Sequence, residues 1–194
     1  MPSRNVVKTY IENGFYHIYN RGFEKRKIFL DKGDYHVFTH LMKRCLDQEL
    51  KVSPDGIINT HSIADEADLI CYCLMPNHFH FLIKQNTKDA VTKFLRRVVT
   101  SYVMYFNKKY QREDGLFQGK PRGVLIQNES YLLHLSRYIH LNPYEIDPKK
   151  PLQDYAYSSY TTYLGKKDRS WIKSTEILGF FKSAQETFMG NFLS

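Results

Sequence analysis

The segment Leu69-Ile-Cys-Tyr-Cys-Leu-Met75, followed by Pro76-Asn77 and His78-Phe-His-Phe-Leu-Ile-Lys84, narrows the possible folds more than any other part of the chain. Two runs of strand length flank a two-residue turn, as in adjacent antiparallel strands. Successive side chains of a strand point to opposite faces. Phe79, Phe81 and Ile83 therefore face a hydrophobic layer, and His78 and His80 lie together on the other side.

The remaining elements fall around this pair. Residues 14–20 read as a short strand rich in aromatic and β-branched types, and Gly22 turns the chain. Asp31 is the expected N-cap of a helix over 32–50, where Tyr35, Phe38, Leu41, Met42, Cys45 and Leu46 recur at spacings of three and four. Ser53-Pro54-Asp55-Gly56 signals a turn, and residues 57–63 read as a strand. An amphipathic helix is expected over 88–109, with Val91, Phe94, Leu95, Val98, Tyr102, Tyr105 and Phe106 on one stripe. Val124-Leu-Ile126 is a last short strand, and Asn128 caps a helix over 129–141 that Pro143 ends.

This order predicts an α+β fold, a ferredoxin-like or RRM-like sandwich with a mainly antiparallel sheet. The Pro- and Lys-rich stretch 143–151 then separates a tail containing Tyr155, Tyr157, Tyr160, Tyr163 and Trp171. The expected division is a domain over 1–143 and a linker with C-terminal extension over 144–194.

No apolar run approaches the ~20 residues of a membrane span. The first residues lack the apolar core of a secretory signal, so a cytoplasmic protein is expected. Cys45, Cys71 and Cys73 match no zinc or redox spacing and read as reduced core thiols. Charge is unevenly spread. Eight Lys and Arg against two carboxylates give residues 93–122 a net +6 of the chain's +8. Such clustering suits a polyanion, because neutralised phosphates release counterions, and it also describes a solvated face.

Two local patterns carry chemistry. His78 and His80, two positions apart on one strand face, can share a divalent metal or be polar residues of a half-exposed strand. In Arg137-Tyr-Ile-His-Leu-Asn-Pro143, Tyr138 and Asn142 stand four apart and project from one helix face. The bland reading of this second pattern is a packed tyrosine and a helix stop.

Five blocks occur in order: Tyr16-His-Ile-Tyr-Asn-Arg-Gly22, Cys73-Leu-Met-Pro-Asn-His-Phe-His80, Tyr105-Phe-Asn107, Leu116-Phe-Gln-Gly-Lys120 and Arg137–Pro143. Together they resemble the insertion-sequence-200-like transposases, the single-tyrosine class of HUH endonucleases, and within it most the REP-associated tyrosine transposases. The resemblance spans roughly residues 14–143, with a further likeness at Ser158-Ser-Tyr-Thr-Thr-Tyr-Leu-Gly165. Phe117, where relatives often carry Trp, and Pro121 depart from the pattern.

The resemblance implies a HUH motif at His78 and His80 on a central strand, a catalytic Tyr138 on a C-terminal helix, and Asn142 as a third metal ligand. It implies metal-dependent cleavage and rejoining of single-stranded DNA near a hairpin, through a covalent 5′-phosphotyrosine. Two imidazoles and an amide oxygen leave positions of an octahedral Mg²⁺ or Mn²⁺ open for phosphate and water. Arg96, Arg97, Lys120 and Arg122 are candidates for DNA backbone contacts. His17, Asn20 and Arg21 could reach DNA from the first strand but read more simply as solvated surface. His134, one turn before Tyr138, could polarise its hydroxyl. Both a monomer and a homodimer are compatible with the family. A non-catalytic single-stranded nucleic-acid-binding module and a metal-dependent hydrolytic nuclease are the alternatives.

Overall fold

The four strands alternate as their sequences dictate and join into one antiparallel sheet. In the computed structural model, which describes residues 11–52 and 59–181, the strands are β1 (Gly14–Arg21), β2 (Ala67–Met75), β3 (His78–Gln85) and β4 (Arg122–Ile126). Their order is β2-β3-β1-β4, with each neighbouring pair antiparallel. Helix α1 (Lys32–Leu46) joins β1 to β2, and a longer helical segment joins β3 to β4. The result is the expected ferredoxin-like α+β arrangement, with β3 inside the sheet.

Helix α1 opens on a capping box: the Asp31 carboxylate accepts from Asp34 N, and the Asp34 carboxylate accepts from Asp31 N. It ends at Leu46, short of the expected residue 50, because Asp47 leaves helical geometry and starts a 3₁₀ turn, Gln48–Leu50. The strand expected over 57–63 is absent from its described part, 59–63. There Ile63 N bonds Cys45 O at the end of α1 and the Ile63 side chain is buried, so this segment plugs a core instead of joining the sheet. Residues 53–58, including the expected turn, lie outside the described residues.

The long helix consists of α2 (Ala90–Leu95), a π-helical turn (Arg96–Thr100) and α3 (Ser101–Tyr110). A π-turn inserts a residue into the helix while keeping it continuous. Phe94, Val98, Tyr102 and Phe106 all remain buried across it.

The sheet has a buried layer on each face. Tyr16, Ile18, Phe79, Phe81 and Ile83 pack with residues of α1, α2 and α3. On the opposite face Cys73, Met75 and Leu82 pack with Leu132, Leu135 and Ile139 of α4 (Glu129–Leu141). Asn128 caps α4 by accepting from Tyr131 N. A bulge between Leu69 and Cys71 turns Ile70 and Cys71 to the same face. The three cysteines are buried free thiols, as expected. Among the described residues no helix is long and apolar enough to cross a membrane.

The segment after α4 runs along the outer edge of β2. Leu74 N donates to Tyr157 O, Ser159 N to Tyr72 O, and Lys173 N to Leu69 O. The hydroxyls of Tyr155 and Tyr163 donate to Leu74 O and Ile70 O, and Trp171 stacks on Tyr72. The tyrosine run thus covers an edge that would otherwise present open peptide groups. Ser159 Oγ accepts from Tyr72 N at 2.9 Å and lies 2.8 Å from His140 Nε2, linking β2 to α4. Ser159→Ala removes this buried link and is expected to cost about 1–3 kcal/mol. Urea unfolding measures it, and an unchanged midpoint would mean that the hydroxyl braces nothing.

Candidate active site

Three elements meet on the face covered by α4. Strand β3 supplies His78 and His80, whose rings stand perpendicular with centroids 5.0 Å apart. Strand β1 brings His17 and Tyr19 alongside, and Arg21 directly opposite His78. Leu132, Leu135 and Ile139 anchor α4 in the core. That anchoring carries Tyr138 and, at the helix end, Asn142 to the same place.

Tyr138 is 44% exposed, with its ring edge-on to His80 at 5.6 Å and to His17 at 6.5 Å. Asn142 is 3% exposed. Its Nδ2 donates to Tyr138 O at 2.8 Å, which fixes the amide and turns Oδ1 towards His78 Nε2, 3.3 Å away. The other nitrogen of His78 is also spoken for. Asn77 Nδ2 donates to Lys25 O, so Asn77 Oδ1 accepts from His78 Nδ1 at 2.7 Å. A neutral His78 with its hydrogen on Nδ1 presents a lone pair at Nε2. Two acceptors therefore face each other, an arrangement that a shared cation turns from repulsive to favourable.

The turn that holds Asn77 depends on a glycine. Gly22 N donates to Asn77 O at 2.8 Å, and a Cβ on Gly22 would stand 2.2 Å from Arg26 O. Only a residue without a side chain lets the 22–26 loop close on this turn.

Burial decides the protonation of the site. It pushes the His80 pKa down to about 3, with His17 and His78 adding to the effect, and the His17 pKa down to about 4. His78 is lowered chiefly by burial, with Asn142 and Glu145 opposing. All three imidazoles are neutral at neutral pH, so each carries a lone pair on one ring nitrogen. Burial, then Glu145 and Tyr19, raise the Tyr138 pKa, so its phenol stays protonated. Among the described residues no group of three or more His, Cys, Asp or Glu side chains could hold a metal ion. The candidate set here is mixed: His78 Nε2, His80 and Asn142 Oδ1, a donor set that suits a divalent cation with open positions.

A family model described as "Transposase IS200 like" matches residues 16–142, from β1 through Asn142. The chain belongs to the IS200-like transposase family. Among solved structures, that of a REP-associated tyrosine transposase bound to a REP hairpin is similar, with a TM-score of 0.58 and 15% identity. The match covers 87% of this chain and 96% of that one, and at this identity it bears on the fold. A search of curated proteins finds no match.

The fold sorts the cations that this transposase carries. Arg122 lies opposite Tyr19 in the sheet and so shares the site's face. Lys120 follows a loop bonded to the end of β1, where Asn20 Nδ2 donates to Gly119 O and Gln118 N to Arg21 O. Arg21, Lys120 and Arg122 are all exposed. Arg96 and Arg97 belong to the helical layer across the sheet, where Arg97 donates to His61 O and Ser62 O. Lys93, Lys109 and Arg112 pair with Glu66, with Asp31 and Asp34, and with Asp114. Four of the eight cations in 93–122 are thus engaged within the fold.

His17 and Asn20, read as solvated from sequence, are buried, at 8% and 6% exposure. The alternation of Tyr16 and Ile18 into the core already put His17 on the other face. The sequence did not show that α4 covers that face. Asn77 entered the sequence reading only through the Pro76-Asn77 turn and the 73–80 block, with no role at the site, and Glu145 did not enter it. His134 is exposed on α4.

The facing acceptors predict that Mn²⁺ stabilises the protein. At a hundredfold excess over its dissociation constant the gain is about 2.7 kcal/mol, a rise of several degrees in Tm for a chain of this size. Differential scanning fluorimetry should show the rise in wild type and its loss in His78→Ala. An equal rise in that variant would place the metal elsewhere.

Proposed function

We propose that this transposase cleaves and rejoins single-stranded DNA near a hairpin. Tyr138 is the nucleophile, and His78, His80 and Asn142 hold Mg²⁺ or Mn²⁺. One observation carries the reading: α4 brings a half-exposed phenol edge-on to His80 while its last turn directs Asn142 Oδ1 at His78 Nε2. A tyrosine needed only for packing would not be left open to solvent beside a pair of lone-pair donors.

The raised pKa of Tyr138 makes it a weak nucleophile by itself. A cation held by the three ligands would neutralise the non-bridging oxygens of the scissile phosphate and orient it. Tyr138 Oη then attacks phosphorus. A tyrosine–phosphate bond forms and the bond to the 3′ oxygen breaks. The 3′ oxygen takes up a proton that balances the one lost by the phenol. A 3′-OH attacking the phosphotyrosine reverses these events on another strand, and no hydrolysis or nucleotide cofactor is needed.

Arg21, Lys120 and Arg122, exposed on the site's side, supply contacts to the DNA backbone. A hairpin partner is supported by the similar solved structure, a REP-associated tyrosine transposase bound to a REP hairpin. In this reading residues 1–143 hold the catalytic set and 144–194 form an extension, of which residues 155–173 contact β2 and α4 and steady the helix bearing Tyr138.

Two measurements test the proposal. Tyr138→Phe should abolish the covalent protein–DNA adduct seen on denaturing gels while hairpin binding stays within a few-fold of wild type. An adduct formed by the Phe variant would falsify the assignment. Excess EDTA, His78→Ala and His80→Ala should each remove the adduct as well. Salt titration of hairpin binding should separate the cations. Arg21→Ala, Lys120→Ala and Arg122→Ala should each flatten the log–log slope by about 0.7, and Arg97→Ala should leave it unchanged. Equal slopes in all four variants would exclude the three residues from the interface.

A further inference from the structure

We infer that His17 is a positioning residue that sets the tautomer of His80: its Nε2 accepts a hydrogen bond from His80 Nδ1–H and so leaves His80 Nε2 as a lone pair directed to the metal. The inference rests on the proposed metal site and adds a residue that touches neither the metal nor DNA.

The sheet register creates the contact. Tyr19 lies opposite His80 and His17 opposite Leu82, so His17 and His80 are diagonal neighbours on one face. Their rings span the diagonal, with His17 Nε2 2.8 Å from His80 Nδ1. The planes are within 16° of parallel and the centroids 5.1 Å apart. With nitrogens this close, that separation places the rings end to end, the geometry of an in-plane hydrogen bond.

Such a contact holds one hydrogen, and its position decides what His80 can do. If His17 donated, His80 would carry its own hydrogen on Nε2 and could not ligate. If His80 donates, Nε2 is free to ligate. The neighbouring ligand indicates the direction. His78 has its Nδ1 hydrogen accepted by Asn77 Oδ1, an amide fixed by its bond to Lys25 O, and turns Nε2 to Asn142. His17 occupies for His80 the place that Asn77 occupies for His78. Both acceptors are neutral, so the site gains orientation without negative charge that would oppose a phosphate.

The test uses the full-length protein with ¹⁵N-labelled histidine and two variants. His17→Gln keeps an acceptor at a similar reach, and His17→Leu removes it. Long-range ¹H–¹⁵N spectra of the metal-free protein should show His80 with its hydrogen on Nδ1 in wild type and His17→Gln, and a loss of that preference in His17→Leu. Calorimetric titration with Mn²⁺ should show binding weakened roughly 10–100-fold in His17→Leu and within a few-fold of wild type in His17→Gln. Thermal melts of both variants distinguish loss of folding from loss of orientation. A wild-type His80 with its hydrogen on Nε2 overturns the inference, as does undiminished Mn²⁺ affinity in a folded His17→Leu. The tautomer is read without metal, so it remains decisive even if wild type fails to bind Mn²⁺, a result that would sink the metal site alone.

Discussion

The structure depends on the period of two in β3, held between two buried layers. Phe79, Phe81 and Ile83 are committed to the core shared with α1, α2 and α3. That commitment leaves His78 and His80 no choice but the α4 face. A slip of one residue would exchange every side chain between layers, burying imidazoles among aromatics and exposing phenylalanines. The same burial that sets the register therefore delivers the chemistry. Strand β1, locked beside β3 over its whole length, adds His17, Tyr19 and Arg21 to that face at no further cost in order.

Electrostatics at the site follow from how polar groups are satisfied in a dry place. His80, His17 and Asn142 are almost fully covered, and a buried charge is costly unless paired. The imidazoles are therefore neutral, and the candidate ligand atoms of His78 and Asn142 are each aimed by a partner on the other side. Asn77 aims His78, and the carbonyl of Tyr138 aims Asn142. The proposed nucleophile and the third candidate ligand are thus tied by a hydrogen bond within one helix turn. Tyr138, by contrast, stays 44% exposed.

The rest of the chain supports this arrangement. Residues 155–178 bond along β2 and reach α4 through Ser159 and His140, so the last described segment fixes the layer that carries Tyr138. Many cations act as struts: Lys109 binds Asp31 and Asp34 at the start of α1, and Arg97 ties down residues 61–62. Charge counted along the sequence overstates what is offered to a polyanion, because intramolecular pairs consume it.

Much of the fold was legible in the sequence, since local periodicity reports which side of an element is buried. The alternation of β3, the capping residues Asp31 and Asn128, and the stripe of α2–α3 each correspond to a described element. The described part of the expected strand, 59–63, differs because a β-branched side chain such as Ile63 fills a core as readily as it pairs in a sheet. The sequence by itself determined the strand and helix types, the shared face of His78 and His80, and the shared helix face of Tyr138 and Asn142. These are properties of one element, set by the geometry of a single strand or helix. Tertiary structure alone decided that the two pairs meet, that His17 and Asn20 are buried, that Arg122 shares the site's face, and that Arg96 and Arg97 do not. Such relations arise only when separate elements dock, and docking is governed by long-range packing that no local spacing encodes.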